Sequence, residues 1–253
     1  MAKASNLGPE RWIRILSGGV FFAIWLVGAE LAESRLLPTP WAVVLAIFNN
    51  ISEGELLPHV GITLARVFVS FFIAMAFGTA LGMIMGSKRR WDVALDGALV
   101  FALNIPALVV IILCYIWFGL GEFAAILAVA INKFPVVVVT MREGARAVDS
   151  DLLQVAKAFR IDRRRTFFRI YLPQLFPYLL ASARSGLALV WKIVLVVELL
   201  GRSDGVGFQL AVFFQFFDIT NILAYSLAFI SVVMAIELVF MAPIDRRLSE
   251  WRT

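Results

Sequence analysis

The sequence predicts an all-α integral membrane protein with six transmembrane helices. Hydrophobic residues make up 61% of its 253 residues and the mean hydropathy is +0.89, whereas a soluble domain is closer to half apolar. Charged residues account for 16% and cluster between long uncharged runs, several of which approach the roughly 20 residues that a membrane-spanning helix needs. We expect an N-terminal arm over residues 1–14, one membrane domain over 15–243 and a C-terminal tail over 244–253.

The first apolar run covers residues 15–29. No small-x-small cleavage site follows it and further apolar runs do, so it is interpreted as a retained first span and not as a signal peptide. Residues 30–61 are expected to lie outside the membrane on the outer side. Within them Pro38 and Pro40 break the chain, and residues 41–51 have the pattern of a helix lying on the membrane surface.

The second predicted span covers residues 67–87, which carry no charge. Gly78, Gly82 and Gly86 occur at every fourth position within it. Small residues at that spacing allow helix backbones to approach closely in lipid. These glycines are therefore expected to pack against a neighbouring helix.

The third predicted span covers residues 97–121 and is interrupted by Asn104 and Pro106. Proline has no N–H, so a freed carbonyl must find a partner inside the protein. This interruption makes Asn104 a candidate pathway residue.

The last three spans are predicted over residues 123–141, about 174–200 and 219–243. Pro173 and Pro177 are expected to separate the fifth span from the polar segment before it. Charged groups are costly in hydrocarbon, so those within spans should face the bundle interior or water. The charged pathway candidates are Lys133 in the fourth span, Arg184, Lys192 and Glu198 in the fifth, and Glu237 in the sixth.

These charges have more than one interpretation. Lys192 lies well inside the fifth span, where it either pairs with Glu237 for structural reasons or faces the pathway. Glu198 follows six residues later and does not share a face with Lys192 on an ideal helix. Arg184 is close enough to the inner end for its guanidinium to reach the interface, and structural pairing is favoured for Lys133.

The distribution of Lys and Arg predicts the orientation. With the N-terminus inside, 17 of the 23 Lys and Arg residues fall in inner segments, 3 in outer segments and 3 within spans. Inner loops are enriched in positive charge, so both termini are expected on the cytoplasmic side of the membrane. The same asymmetry explains the basic composition without a nucleic-acid partner.

The longest polar segment is the inner loop at residues 142–173. Asp149 or Ser150 can cap one helix and Asp162 a second, because a short side-chain oxygen accepts from free first-turn N–H groups. The first helix would carry an apolar stripe with no internal core to cover, which indicates a docking surface for another protein. The alternative is a loop lying on lipid headgroups. The stripe consists of Leu152, Leu153, Ala156 and Phe159.

Residues 154–156, Arg160 and residues 170–173 read Q-V-A, three residues, R, nine residues, I-Y-L-P. This pattern resembles the "E-A-A, three residues, G, nine residues, I-x-L-P" loop of permease subunits in binding-protein-dependent ABC importers. The resemblance implies a coupling helix, between the fourth and fifth spans, that sits in a cleft of an ATPase subunit. Arg160 stands where glycine is usual, and its Cβ disfavours the left-handed turn that glycine permits. The ATPase-coupling residues implied are Leu152, Leu153, Gln154, Ala156, Phe159, Arg160, Ile170, Leu172 and Pro173.

Other stretches extend the resemblance. Residues 37–40 read L-P-T-P before an aliphatic helix, which is similar to the branch that includes sulfonate, taurine and nitrate permeases. Pro106 followed by W-F-G-L-G at residues 117–121, and G-V-G at residues 205–207, also match the family.

The resemblance implies a permease fold of the type I ABC importers that works by alternating access. It implies two ATPase subunits, a second permease copy or close relative, and an extracytoplasmic substrate-binding protein. It also implies a location in a bacterial inner membrane. Basic residues in the spans favour a small anion such as a sulfonate, taurine or nitrate, although Glu198 and Glu237 could neutralise them and leave neutral or cationic nutrients open. The alternative from the residues alone is a secondary transporter or channel that needs no ATPase; a scaffold without a transport role is disfavoured by the buried charges.

No catalytic constellation is apparent in the sequence. No glycine is followed by lysine, so there is no phosphate-binding P-loop, and ATP would have to bind a separate chain. The single cysteine, Cys114, and the single histidine, His59, make a disulfide or a metal cluster in this chain implausible. We expect no enzyme activity and no cofactor bound by this chain.

Overall fold

The computed structural model describes residues 8–32, 34 and 36–241, so the first half of the predicted arm and the whole predicted tail lie outside the described residues. The described part is helical, with no strand. Its helices are α1 (Gly8–Ala32), α2 (Pro40–Ser52), α3 (Leu56–Ser87), α4 (Arg89–Asn104), α5 (Ala107–Phe118), α6 (Glu122–Arg146), α7 (Ser150–Ala158), α8 (Arg163–Thr166), α9 (Leu172–Gly201), α10 (Val206–Gln215) and α11 (Ile219–Ile236).

Four helical stretches of the described chain are long and apolar enough to cross a membrane: Leu56–Ser87, Glu122–Arg146, Arg163–Gly201 and Ile219–Val239. They account for the predicted second, fourth, fifth and sixth spans. The second span begins eleven residues earlier than predicted, at Leu56 instead of residue 67. The first predicted span corresponds to the apolar helix Leu16–Ala32, which is shorter than these four stretches.

The third predicted span is not a straight helix. Helices α4 and α5 together have the length and composition of a span, but they meet at 96°. Ile105, between them, is extended, as expected for a residue that precedes proline. Pro106 is followed by α5, whose axis runs in a different direction from that of α4. The predicted interruption is therefore confirmed as a sharp bend, and the helix before it begins at Arg89, eight residues earlier than the predicted span.

The core is formed by α3, α6 and α9. Gly78, Gly82 and Gly86 line the face of α3 that contacts α6, as their spacing predicts. A Cβ added to any of them would lie 2.5–2.7 Å from a Cβ on α6, closer than side chains can approach. The facing residues, which repeat with the same spacing of four, are Val137, Met141 and Ala145.

The surface helix predicted over residues 41–51 is present as α2, Pro40–Ser52. Thr39 caps it, its hydroxyl accepting from the N–H of Ala42 at 3.3 Å. The buried Asn50 donates to Asn221 Oδ1 of α11 at 2.8 Å, so α2 is attached to the last span.

The fifth span begins earlier than predicted. Helix α8, a π-helical turn over Phe167–Tyr171 and α9 form one apolar helical stretch, Arg163–Gly201, of 39 residues. Pro173 and Pro177 were expected to divide it, and that expectation is wrong. The π turn widens the helix just before Pro173, and both prolines are then contained in the helix.

Candidate functional site

Residues 149–173, called the coupling segment from here on, begin with a capped helix. The Asp149 carboxylate accepts from the N–H of Asp151 at 2.8 Å and caps α7. The N–H of Asp149 itself donates to Gln174 Oε1 at 2.9 Å. Since Gln174 belongs to α9, the start of α7 is attached directly to the fifth span.

Helix α7 exposes an apolar surface. Ala156 is buried beneath it, and the Phe159 side chain, at the end of the helix, is 77% exposed. Large apolar side chains that are exposed together in this way mark a surface for another molecule. Of the remaining residues predicted in α7, Leu152 and Gln154 are exposed and Leu153 is half-buried.

The turn after α7 has a conformation that usually requires glycine. Arg160 has φ +50°, in the left-handed region. The N–H of Ile161 reaches back to Ala156 O at 2.9 Å, and the N–H of Arg160 bonds to Lys157 O at 3.1 Å. This pattern is a Schellman motif. The Cβ of Arg160, which was expected to oppose this turn, does not prevent it.

The second half of the coupling segment joins the membrane domain. Asp162 caps α8 as predicted, accepting from the N–H of Arg164 at 3.0 Å. The Tyr171 hydroxyl is hydrogen-bonded to Ser87 Oγ of α3 at 2.8 Å. Of the predicted residues nearby, Ile170 and Leu172 are half-buried and Pro173 is exposed.

A network of charged residues joins four elements at the opposite end of the bundle. Arg66 of α3, 2% exposed, is its centre. Its Nη1 donates to Glu198 Oε1 of α9 at 2.8 Å, and its Nε donates to Glu122 Oε1 of α6 at 2.7 Å. Its Nη2 also pairs with Asp204 in the turn after α9. The prediction that Arg66 belongs to an outer loop is wrong, because it lies within a helix and is buried.

The same network positions the G-V-G turn. Glu198 Oε2 accepts from the N–H of Gly207 at 2.9 Å and from the Thr63 hydroxyl at 2.9 Å. Gly205 has φ +99°, and a Cβ there would overlap the Glu198 carboxylate. Glycine is therefore required at this position for both backbone conformation and space. The Glu198 carboxylate is fully buried in these contacts, which favours a structural role over the pathway role expected for it.

Arg202 and Asp204 complete the network. Arg202 Nη2 lies 3.0 Å from Glu122 Oε2, and Arg202 Nη1 donates to Leu120 O at 2.8 Å. Partial burial acts to raise the pKa of Asp204, but the hydrogen bond from Arg66 and the charges of Arg66 and Arg202 outweigh it. The pKa of Asp204 therefore lies below its ordinary value, and its carboxylate holds the turn in its charged form.

The remaining pathway candidates are not brought together. Lys133 is fully buried between α6 and α9, where its Nζ donates to Ser182 O at 3.2 Å. Lys192 and Glu237 are both exposed, and the structure shows no ion pair between them. Arg184 and Asn104 are exposed as well, and the Asn104 amide donates to Val100 O of its own helix at 2.7 Å.

The sequence interpretation missed the ion pairs at both ends of the bundle. Nothing in the sequence analysis brings Arg66, Glu122, Arg202 and Asp204 together. At the end of the bundle next to the coupling segment, Arg142 of α6 pairs with Asp96 of α4 at 2.6 Å, and Arg146 with Asp92 at 2.6 Å. An available signal was the presence of opposite charges at the same ends of neighbouring predicted spans.

The turn after α9 also carries G-R-S-D-G at residues 201–205, the spacing that holds a nucleophilic serine on a strand-to-helix turn in some hydrolases. Here the turn follows a helix. The described contacts include no hydrogen bond between Ser203 and His59, whose Nδ1 instead accepts from the N–H of Gly205 at 3.0 Å. The arrangement supports a structural turn.

Four long helices, a bent helix pair and an exposed helix between the fourth and fifth predicted spans agree with the architecture expected of a type I ABC importer permease. Residues 78–246 match the family described as "Binding-protein-dependent transport system inner membrane component". This chain belongs to that family.

Named relatives support the same conclusion. A protein named as an aliphatic sulfonate transport permease of Bacillus subtilis (strain 168) is 31% identical, with 99% of this chain and 93% of the relative covered. The taurine transport system permease of Escherichia coli (strain K12) is 25% identical over 92% of this chain and 86% of its own. A nitrate import permease of Synechocystis sp. (strain ATCC 27184 / PCC 6803 / Kazusa) is 28% identical over 75% and 72%.

A solved structure shows the same fold. The MetNI methionine ABC transporter in an inward-facing conformation contains a chain that aligns with a TM-score of 0.57 at 17% identity. The alignment covers 76% of this chain and 93% of that chain.

Proposed function

We propose that this chain is the permease subunit of an importer that moves a small anion into the cell, driven by ATP hydrolysis on separate ATPase subunits. The observation that carries the proposal is the continuous helical stretch Arg163–Gly201. It starts in the exposed coupling segment and contains Lys192. At a rise of 1.5 Å per residue, its 29 steps from Arg163 to Lys192 span about 44 Å.

This helix offers a mechanism for coupling. An ATPase that binds α7 more tightly in one conformation of the permease shifts the population toward that conformation. Gln174 attaches the start of α7 to α9, so displacement of α7 moves the inner end of the fifth span. Alternating access follows if that movement opens one side of the pathway and closes the other.

The exposed face of α9 is the proposed pathway surface. It carries Arg184 and Lys192 among the small residues Ala181, Ser185 and Ala188, all exposed. A lysine that faced hydrocarbon would cost roughly 2.5–3.5 kcal/mol on insertion scales. A second copy of the chain opposite this face would exclude lipid and enclose a cationic passage.

The substrate class follows from the cations and from the relatives. Sulfonate, taurine and nitrate, named for the three relatives, each contain an anionic group. Arg184 and Lys192 are suited to such a group, because cationic side chains form charge-assisted hydrogen bonds with anionic oxygens. A substrate-binding protein would deliver the anion at the outer ends of α3, α6 and α9.

The orientation in the inner membrane completes the proposal. Both termini and the coupling segment lie on the cytoplasmic side, where ATP is available. In a Cys114→Ala background, thiols introduced at Ser52 and Ser203 should react with an impermeant reagent added outside, and a thiol at Ser87 should not. The reverse labelling pattern would contradict the orientation.

Reconstitution with the ATPase and the binding protein in proteoliposomes tests the function. We expect uptake of a sulfonate or nitrate only with ATP, and Phe159→Ala should reduce coupled uptake by about tenfold, since aromatic anchors often dominate interfaces. Phe216→Ala is the matched control, because Phe216 is 76% exposed on the turn after α10. Uptake by the permease alone, without ATPase, would instead identify a channel or secondary transporter.

A further inference from the structure

The coupling segment contains a cavity of about 500 Å³ between α7 and the helix that follows it. Both apolar and cationic residues line it. No carboxylate lines it. The apolar residues include Leu153, Ile161 and Phe167, and the cations are Lys157, Arg160 and Arg163.

The three cations are not neutralised within the described chain. Lys157, Arg160 and Arg163 have no side-chain hydrogen bond or ion pair there, whereas the charged residues at both ends of the membrane bundle are paired. The nearby acids, Asp149 and Asp162, are used as helix caps. The cavity therefore presents three cations that form no ion pair with a carboxylate of the described chain.

Arg160 also occupies a strained position. Its φ of +50° is one that glycine adopts readily and that a Cβ opposes. Strained residues persist where the side chain or the conformation is used. Glycine would form the same turn without strain, so the turn alone does not account for arginine at this position.

We propose that this cavity receives a carboxylate side chain of the ATPase subunit and that Arg160 is the main group that binds it. The proposal rests on the proposed function, which places the ATPase against this surface. A guanidinium binds a carboxylate through two parallel hydrogen bonds. The apolar residues of the cavity would exclude water and strengthen that pair. The exposed Phe159 next to it would bring the partner into contact.

The test compares Arg160→Gly with Arg160→Lys. Arg160→Gly relieves the backbone strain and removes the cation, so a structural role predicts unchanged or tighter ATPase binding. Our proposal predicts a dissociation constant about tenfold higher and a weaker dependence on salt, because truncating one member of a charge pair is costly. Arg160→Lys retains the charge and should lose less affinity.

Phe217→Gly is the matched control. Phe217 has φ +53° in the same kind of helix-ending turn, with the N–H of Asp218 bonded to Phe213 O at 2.9 Å, on the turn between α10 and α11. It should relieve similar strain and leave ATPase affinity unchanged. Binding of the purified ATPase subunit of the same importer would be measured by biolayer interferometry, with the permease in nanodiscs of neutral lipid.

The outcomes separate the two proposals. If the unmodified permease binds no ATPase, the proposed function fails. If it binds and Arg160→Gly binds equally well or better, the carboxylate proposal is overturned while the function stands. An effect of Arg160→Gly that appears only in nanodiscs containing anionic lipid would assign the cavity to a lipid headgroup, and would also overturn the proposal.

Discussion

Arg66 and Glu198 form an ion pair that is almost completely removed from solvent, with Nη1 and Oε1 2.8 Å apart. The pair joins the second predicted span to the fifth and supports the turn that follows the fifth. Removing one member of a buried pair leaves an uncompensated charge, which costs about 3–5 kcal/mol. Arg66→Met should therefore lower the apparent midpoint of thermal unfolding in detergent by several degrees.

The companion variant separates charge from packing. If the cost of Arg66→Met arises from the unpaired Glu198 carboxylate, Arg66→Met combined with Glu198→Gln should recover much of the lost stability. Equal midpoints for the single and the double variant would show that Arg66 acts mainly through Glu122 and Asp204.

Two glycines, Gly82 of α3 and Gly97 of α4, give predictions of opposite sign. In Gly82→Ala, the new Cβ would lie 2.6 Å from the Cβ of Met141, so the helices must separate and stability should fall. Gly97→Ala on α4 meets nothing within 4 Å. It should stabilise by about 0.5–1 kcal/mol, because alanine loses less backbone entropy than glycine. Thermal unfolding of both variants checks the signs, and destabilisation of equal size would refute the packing account.

Much of the fold could be predicted because it depends on local patterns. The capping acids of the coupling segment and the glycine spacing of α3 are short-range features, and the structure confirms them. The start of α3 was missed because a charge usually ends an apolar run, and Arg66 is instead buried by partners far away in the sequence. Those partners, Glu122 and Glu198, are 56 and 132 residues distant.

The buried Lys133 depends on a glycine of the neighbouring span. A Cβ at Gly186 would overlap the Lys133 side chain, so Gly186→Ala should lower the unfolding midpoint clearly. In a Lys133→Ala background the long side chain is gone, and adding Gly186→Ala should then cost little. A double-mutant cycle of thermal midpoints measures this coupling. Additive effects would show that the two residues do not depend on each other.

Lys192 gives the sharpest test of the pathway. It lies six residues after Gly186, a rotation of about 240° on the helix. It therefore does not face the side of α9 that packs against Lys133 at Gly186. The described structure contains no ion pair between Lys192 and Glu237, so a structural pair within one chain does not account for this lysine. Lys192→Met should therefore assemble normally with the ATPase.

Transport by the same variant should fall by about tenfold or more, because an anion in the passage would lose a charge-assisted partner whose loss costs roughly 1.5–3 kcal/mol. Lys192→Arg keeps the positive charge and should retain much of the uptake. Poor assembly of Lys192→Met that Glu237→Gln rescues would establish the structural pair instead. Full uptake by well-assembled Lys192→Met would exclude both roles, and the anion would then have to be recognised without this cation.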